Sequence, residues 1–125
     1  MRGLARATSH LVAAAGLMLA GIAATQAAGA LAVGSCGAYG FAYDYSKADE
    51  ARTAALKKCL GTCKIVAPMK RDCAALAIDG RNVCGPFGYA AAPRLGAAQN
   101  SALKQCYQYG GKDCVIRAWV CDAKG

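Results

Sequence analysis

The chain has 125 residues, eight cysteines, one histidine and a formal net charge of +8 at neutral pH, enough for one small domain whose apolar core alone is marginal. That histidine is His10, near the start. The body of the chain therefore lacks the side chain that most often serves as general base or metal ligand near neutral pH, which excludes histidine-dependent triads and histidine-bound zinc hydrolysis.

Arg2, Arg6 and His10 precede an apolar run from Leu11 to Ala24, and small residues follow through Ala30. This is the order of charge, apolar core and cleavage site in a secretory signal. The expectation is a signal over 1–30, cut near 27–30 (after Ala27, Ala28 or Ala30), and a domain over 31–125. The run is shorter than the ~20 apolar residues of a membrane span, and no later segment suits one. A periplasmic or secreted protein is expected. Loss of Arg2 and Arg6 with the leader leaves thirteen basic residues against seven acidic, a formal +6, which favours acidic partners. Val33-Gly34-Ser35-Cys36 loosely matches the site at which bacterial lipoproteins are cut and acylated, so a lipid on Cys36 is a competing reading.

The eight cysteines form two matched sets of four. Cys36-Gly37-Ala38-Tyr39-Gly40-Phe41-Ala42 returns as Cys84-Gly85-Pro86-Phe87-Gly88-Tyr89-Ala90. Ala51, Ala54, Ala55, Leu56, Lys57 and Cys59 return as Ala98, Ser101, Ala102, Leu103, Lys104 and Cys106, and Cys63 and Cys73 answer to Cys114 and Cys121. Units of about 36–79 and 84–121 follow. In an exported chain with an even cysteine count, disulfides are the default, although four bridges allow about 105 connectivities. The set that best respects the repeat is Cys59–Cys63 and Cys106–Cys114, each tying a helix end to the next strand, with Cys36–Cys84 and Cys73–Cys121 between units. Zinc is disfavoured, because Cys59 and Cys63 stand in no paired Cys-x-x-Cys array.

Tyr39-Gly40-Phe41-Ala42-Tyr43-Asp44-Tyr45 alternates bulky aromatic residues with small or polar ones, the period of a strand with two unlike faces. Ser46 reads as a helix cap, with Asp49 and Glu50 in the first turn. Ala48, Ala51, Ala55, Leu56 and Cys59 then form a narrow apolar stripe. Cys63 to Ala67 reads as a strand, and Cys73 to Ile78 as another apolar run, closed by the turn residues Asp79-Gly80-Arg81-Asn82 before a strand near Phe87 to Ala91. In the second unit Pro93 stands in the first helical turn. Leu95, Ala98, Ala102, Leu103 and Cys106 repeat the stripe, and Cys114 to Cys121 is the closing strand. The predicted architecture is one small disulfide-rich α+β domain of two duplicated strand–helix–strand units, its two helices covering one face of a largely antiparallel sheet.

The Tyr39-Gly40-Phe41-Ala42-Tyr43 opening, the alanine-rich helix ending in Leu56 and Cys59, Cys73-Ala74-Ala75-Leu76-Ala77, and the closing Gly110-Gly111-Lys112-Asp113-Cys114-Val115-Ile116-Arg117-Ala118-Trp119-Val120-Cys121 resemble a family of small exported bacterial proteins, domain of unknown function 4189. The resemblance covers nearly the whole chain after the leader. It implies export and a compact disulfide-bonded domain, and it assigns no catalytic residues. Cys36 and Cys84 look like additions to a commoner six-cysteine pattern.

No catalytic constellation emerges. Asp44, Asp49 and Glu50 gather at the first helix start, where capping accounts for them, so Asp44 with Glu50 is a poor glycosidase pair. Ser46 and Ser101 have no adjacent base. What remains is a surface: Tyr39, Phe41, Tyr43, Tyr45, Phe87 and Tyr89 fall on corresponding strand positions, with Arg117 and Trp119 on one face of the last strand. If the helices take the bare face of the sheet, these aromatics line the other, where they suit stacked sugar rings, a partner protein or a homodimer. The competing account makes them the core, and exposure of Tyr43 and Trp119 separates the two. The expected function is an exported, non-enzymatic binding module, inhibitor-like or envelope-binding, with no cofactor or metal. Its expected partner is a protein or an anionic envelope component, and no motif points to nucleic acid. The alternatives are a thiol–disulfide oxidoreductase or chaperone using Cys59 and Cys63, and an envelope protein anchored by lipid at Cys36.

Overall fold

The computed structural model describes residues 27–122. Its elements run β1 (Ala28–Val33), β2 (Tyr39–Tyr45), α1 (Ala48–Lys58), β3 (Lys64–Lys70), β4 (Cys73–Asp79), β5 (Phe87–Ala92), α2 (Leu95–Gln108) and β6 (Cys114–Cys121), with a 3-10 turn over Ser35–Gly37. The class is α+β, as expected. The strands, however, make two antiparallel three-stranded sheets instead of one, ordered β2-β1-β3 and β5-β4-β6.

The reason lies in the two central strands, which are buried along their whole lengths. In β1, Ala30 and Ala32 pack with Ala51 and Ala55 of α1, while Leu31 and Val33 pack with Leu76 and Ile78 of β4. In β4, Ala75 and Ala77 turn to Ala98 and Ala102 of α2. Alanines thus face the helices and larger aliphatics face the opposite sheet, giving four layers: helix, sheet, sheet, helix. A sheet coated by a helix on one side only would leave the leucine, valine and isoleucine side in water, and the second sheet removes it. Helix and sheet meet at a glycine in each half. A Cβ on Gly40 would stand 2.2 Å from the Ala55 carbonyl oxygen, and one on Gly88 would stand 2.2 Å from that of Ala102.

Several expectations change with this architecture. Residues 28–30, placed in the leader by the sequence reading, belong to β1, because Ala28–Val33 is the centre of the first sheet. The expected leader over 1–30 overlaps that strand; residues 1–26 lie outside the described residues. Of the cleavage points weighed, the one after Ala27 leaves β1 whole, and the one after Ala30 removes half of it. Cys73–Asp79 is not the end of a first unit but the centre of the second sheet, so strand–helix–strand omits one leading strand in each half. The turn at Asp79–Asn82 joins β4 to β5 inside the second sheet. The helix-start residues also shift: Lys47 and Arg94 occupy the cap positions without a side-chain cap bond, so Ser46 and Pro93 each precede the cap. Leu56, placed in the apolar stripe, is exposed.

All eight cysteines are paired, as Cys36–Cys84, Cys59–Cys63, Cys73–Cys121 and Cys106–Cys114. Cys59–Cys63 and Cys106–Cys114 tie each helix to its following strand. Cys36–Cys84 joins the halves, from the 3-10 turn to the β4–β5 connection. Cys73–Cys121 does not join them: the two residues are cross-strand partners on β4 and β6, inside the second sheet.

Candidate functional site

The aromatic strand positions do not share one open face. Tyr39 and Phe41 pair with Val33 and Leu31, so their rings enter the space between the sheets, where Tyr89 meets them from the other side. Phe87 and Tyr89 pair with Ile78 and Leu76. The rings of Tyr39 and Phe41 lie 5.6 Å apart and those of Phe87 and Tyr89 lie 6.3 Å apart, both tilted. Tyr39, Phe41 and Tyr89 are partly core, as large rings usually are, whereas Phe87 is exposed. A shift of register in β1–β2, with Asp44 at φ +60°, interrupts the alternation. It turns Tyr45 to the helix side, against the alanines under α1. Tyr43 stays 48% exposed and Trp119 53% exposed, so these two rings are not buried in the core.

A second register shift separates Arg117 from Trp119. Ala77 pairs with Ile116 and Leu76 with Ala118, which leaves Arg117 as an extra residue in β6, the count of a β-bulge. Trp119 pairs with Ala75, on the α2 side. Arg117 reaches across to the first sheet instead: its guanidinium carbon lies 5.4 Å from the centre of the Tyr39 ring, and its Nε donates to the Gly37 carbonyl at 3.4 Å. The result is a cleft of ≈ 500 Å³ where edge strands β2 and β6 come together, walled by Tyr39, Phe41, Gln99, Ile116, Arg117 and Trp119 among others. Among the described residues, no carboxylate pairs with Arg117; the two ion pairs are Arg52–Asp49 and Arg81–Asp113.

Phe87 lies on the opposite side, lining a cleft of ≈ 360 Å³ with Val33, Thr62, Lys64 and Val66. It also lines a tighter hollow of ≈ 120 Å³ beside Cys36–Cys84. Outside α1, Tyr45, Glu50, Ala54, Lys57 and Lys58 border a further open groove, which the helical stripe does not reveal.

The remaining candidates are engaged elsewhere. Asp49 accepts from Arg52, and its carbonyl accepts from the Thr53 hydroxyl. Cys59 and Cys63 are bonded to each other. A lipid on Cys36 is overturned: its sulfur is bonded to Cys84, and cleavage before Cys36 would remove β1. Among the described residues, no group of three or more His, Cys, Asp or Glu side chains is placed to hold a metal ion. None of their helices is long and apolar enough to cross a membrane.

Two buried carboxylates went unread in the sequence. Asp79 accepts the backbone N–H groups of Arg81 at 2.9 Å and Lys112 at 3.2 Å. The Arg81 N–H above all holds its carboxyl below the ordinary range. Asp122 is fully buried; its Oδ1 accepts the Asp44 N–H at 3.0 Å, and among the described residues no hydrogen bond is made to its Oδ2. Burial pushes its carboxyl upward, against the pull of neighbouring backbone N–H groups. Gly29 makes the room, since a Cβ there would stand 2.8 Å from Oδ1. Asp122 and Asp44 are 78 positions apart, and no local pattern announces such a bond.

The fold and cleft together define a disulfide-fastened four-layer α+β domain with an open aromatic and arginine cleft. The chain belongs to the family described as domain of unknown function (DUF4189), whose model matches residues 28–121. No curated protein and no solved structure matches it.

Proposed function

We propose that this chain is an exported, non-enzymatic binding module of the periplasm or extracellular space, holding an envelope component or another secreted protein in the cleft between β2 and β6. The observation that carries the reading is Arg117: a cation set by Tyr39 and Gly37, with no carboxylate paired to it among the described residues, lining the same cleft as a half-exposed tryptophan. Fixed cations and aromatic rings that stay exposed are the groups binding surfaces favour. Pairing of every cysteine supports an oxidising compartment, and the basic surface suits an acidic partner. The two halves are read as one duplicated unit of strand, strand, helix and strand. The shared order of strands and the correspondence of Ala30-Leu31-Ala32 with Ala75-Leu76-Ala77 support this.

The test is capture from bacterial envelope extracts at low salt with immobilised wild type and Trp119→Ala. A component retained by wild type and lost by the variant is expected. Retention of nothing, or equal retention by both, overturns the reading.

A further inference from the structure

Resting on that reading, we infer that the cleft takes a sugar ring bearing a carboxylate, such as a uronic or muramic acid unit of an envelope or surface glycan. Three groups of complementary chemistry line the cleft. Trp119, at 53% exposure, offers a flat apolar surface of the kind against which the C–H face of a pyranose stacks. Gln99 supplies an amide that both donates to and accepts from hydroxyl groups. Arg117 supplies a planar guanidinium, which matches a carboxylate in fork geometry.

Arg117 is set before any ligand arrives. Its guanidinium carbon lies over the Tyr39 ring, and its Nε donates to the carbonyl of Gly37. Gly37 belongs to the 3-10 turn whose Cys36 is bonded to Cys84. A cation held this way loses little side-chain freedom on binding, which raises affinity without a new contact. The volume of ≈ 500 Å³ lies within the range of small-molecule sites and suits one or two rings. An acidic protein surface is the poorer match: it carries clustered carboxylates, whereas this cleft is lined by one cation and one indole. One carboxylate per ring is the ratio the geometry offers.

Trp119 is the sole tryptophan in the chain, so its fluorescence reports this cleft directly. The experiment titrates the full disulfide-bonded protein with a galacturonic acid oligomer, N-acetylmuramic acid, a neutral galactose oligomer and a poly-glutamate peptide, following tryptophan emission and binding heat. A saturable shift with either acidic sugar is expected, at least about tenfold tighter than with the neutral oligomer. A response to only one acidic sugar identifies the source. Arg117→Ala should weaken the acidic sugar by roughly tenfold to a hundredfold while leaving the residual neutral binding unchanged. Arg117→Lys, which keeps the charge and loses the fork, should restore only part of it, and an unchanged thermal midpoint shows that both variants are folded. Equal binding of neutral and acidic oligomers, no effect of Arg117→Ala, or poly-glutamate binding as tightly as the sugars overturns the sugar acid. Envelope capture that depends on Trp119 would then still stand, whereas failure of both experiments removes the cleft itself.

Discussion

In each half of the sandwich a glycine of the second strand lies under a helix carbonyl, at the same 2.2 Å from a would-be Cβ, and a disulfide ties that helix to the third strand. At the far end the halves part. The second sheet is bridged there by Cys73–Cys121, whereas the pair in the corresponding place of the first sheet is Ala28 and Lys70, cross-strand neighbours with no covalent link. The first half is closed at that end by Asp122, which arrives from the tail of the second half and bonds to the backbone of Asp44. Each helix is seated by the same close approach to a glycine, so a side chain at either position would push the helix away. A strand end needs only to be prevented from fraying, and a covalent or a polar fastening serves.

The largest expected effect sharpens the contrast in staples. Removing Cys73 and Cys121 together opens a loop with a sequence separation of 48, which on the chain-entropy account costs about 4 kcal/mol. Removing Cys59 and Cys63, with a separation of 4, costs about 2 kcal/mol on the same account. Urea denaturation of the two double alanine variants measures the difference, and equal losses would show that the staple peculiar to the second sheet holds no more than the helix staple both halves share. Next come Gly40→Ala and Gly88→Ala. Each forces a helix off its sheet, for a loss of about 1–3 kcal/mol by overpacking, and similar losses are expected in both. A loss in one alone would show that the two helix seats differ.

The smallest effect is one of pH. The raised carboxyl of Asp122 means that the folded state takes up this proton more readily than the unfolded chain. Its contribution is complete below the unfolded carboxylate pKa and is lost as pH rises through the folded value. Asp122→Asn keeps an acceptor for the Asp44 N–H without a charge to bury, so it should gain on wild type across that rise. Asp79 runs the other way: its lowered carboxyl stabilises above the unfolded value, and that contribution is lost as pH falls through the folded one. Urea midpoints followed from acid to neutral pH check both signs; parallel curves for wild type and Asp122→Asn would sink the first.

Much of this was legible in the chain. Helical stripes at Ala51 and Ala55 and at Ala98 and Ala102 mark the buried helix faces, because a period of 3.6 is a local property. The aromatic alternation around Tyr39 and Phe87 marks strands for the same reason. Ala28–Val33 escaped because its alanine, glycine and leucine continue the composition of the apolar run before it, and only pairing with β2 and β3 marks it as a strand. The cleft escaped in part. Tyr39, Phe41, Arg117 and Trp119 were named and Gln99 was not; alternation also placed Arg117 and Trp119 together, and a one-residue bulge sends them to different neighbours.

By itself, then, the sequence determined the strands and helices that carry local periods, and the matched cysteine frame that makes one pairing more economical than the rest. The tertiary structure decided which strand stands at the centre, that two sheets close on each other, and where the register slips at Asp44 and Arg117. A strand residue has a period of its own, but it acquires a face only when another layer covers one side. Which side is covered depends on contacts as far apart as Leu31 and Leu76.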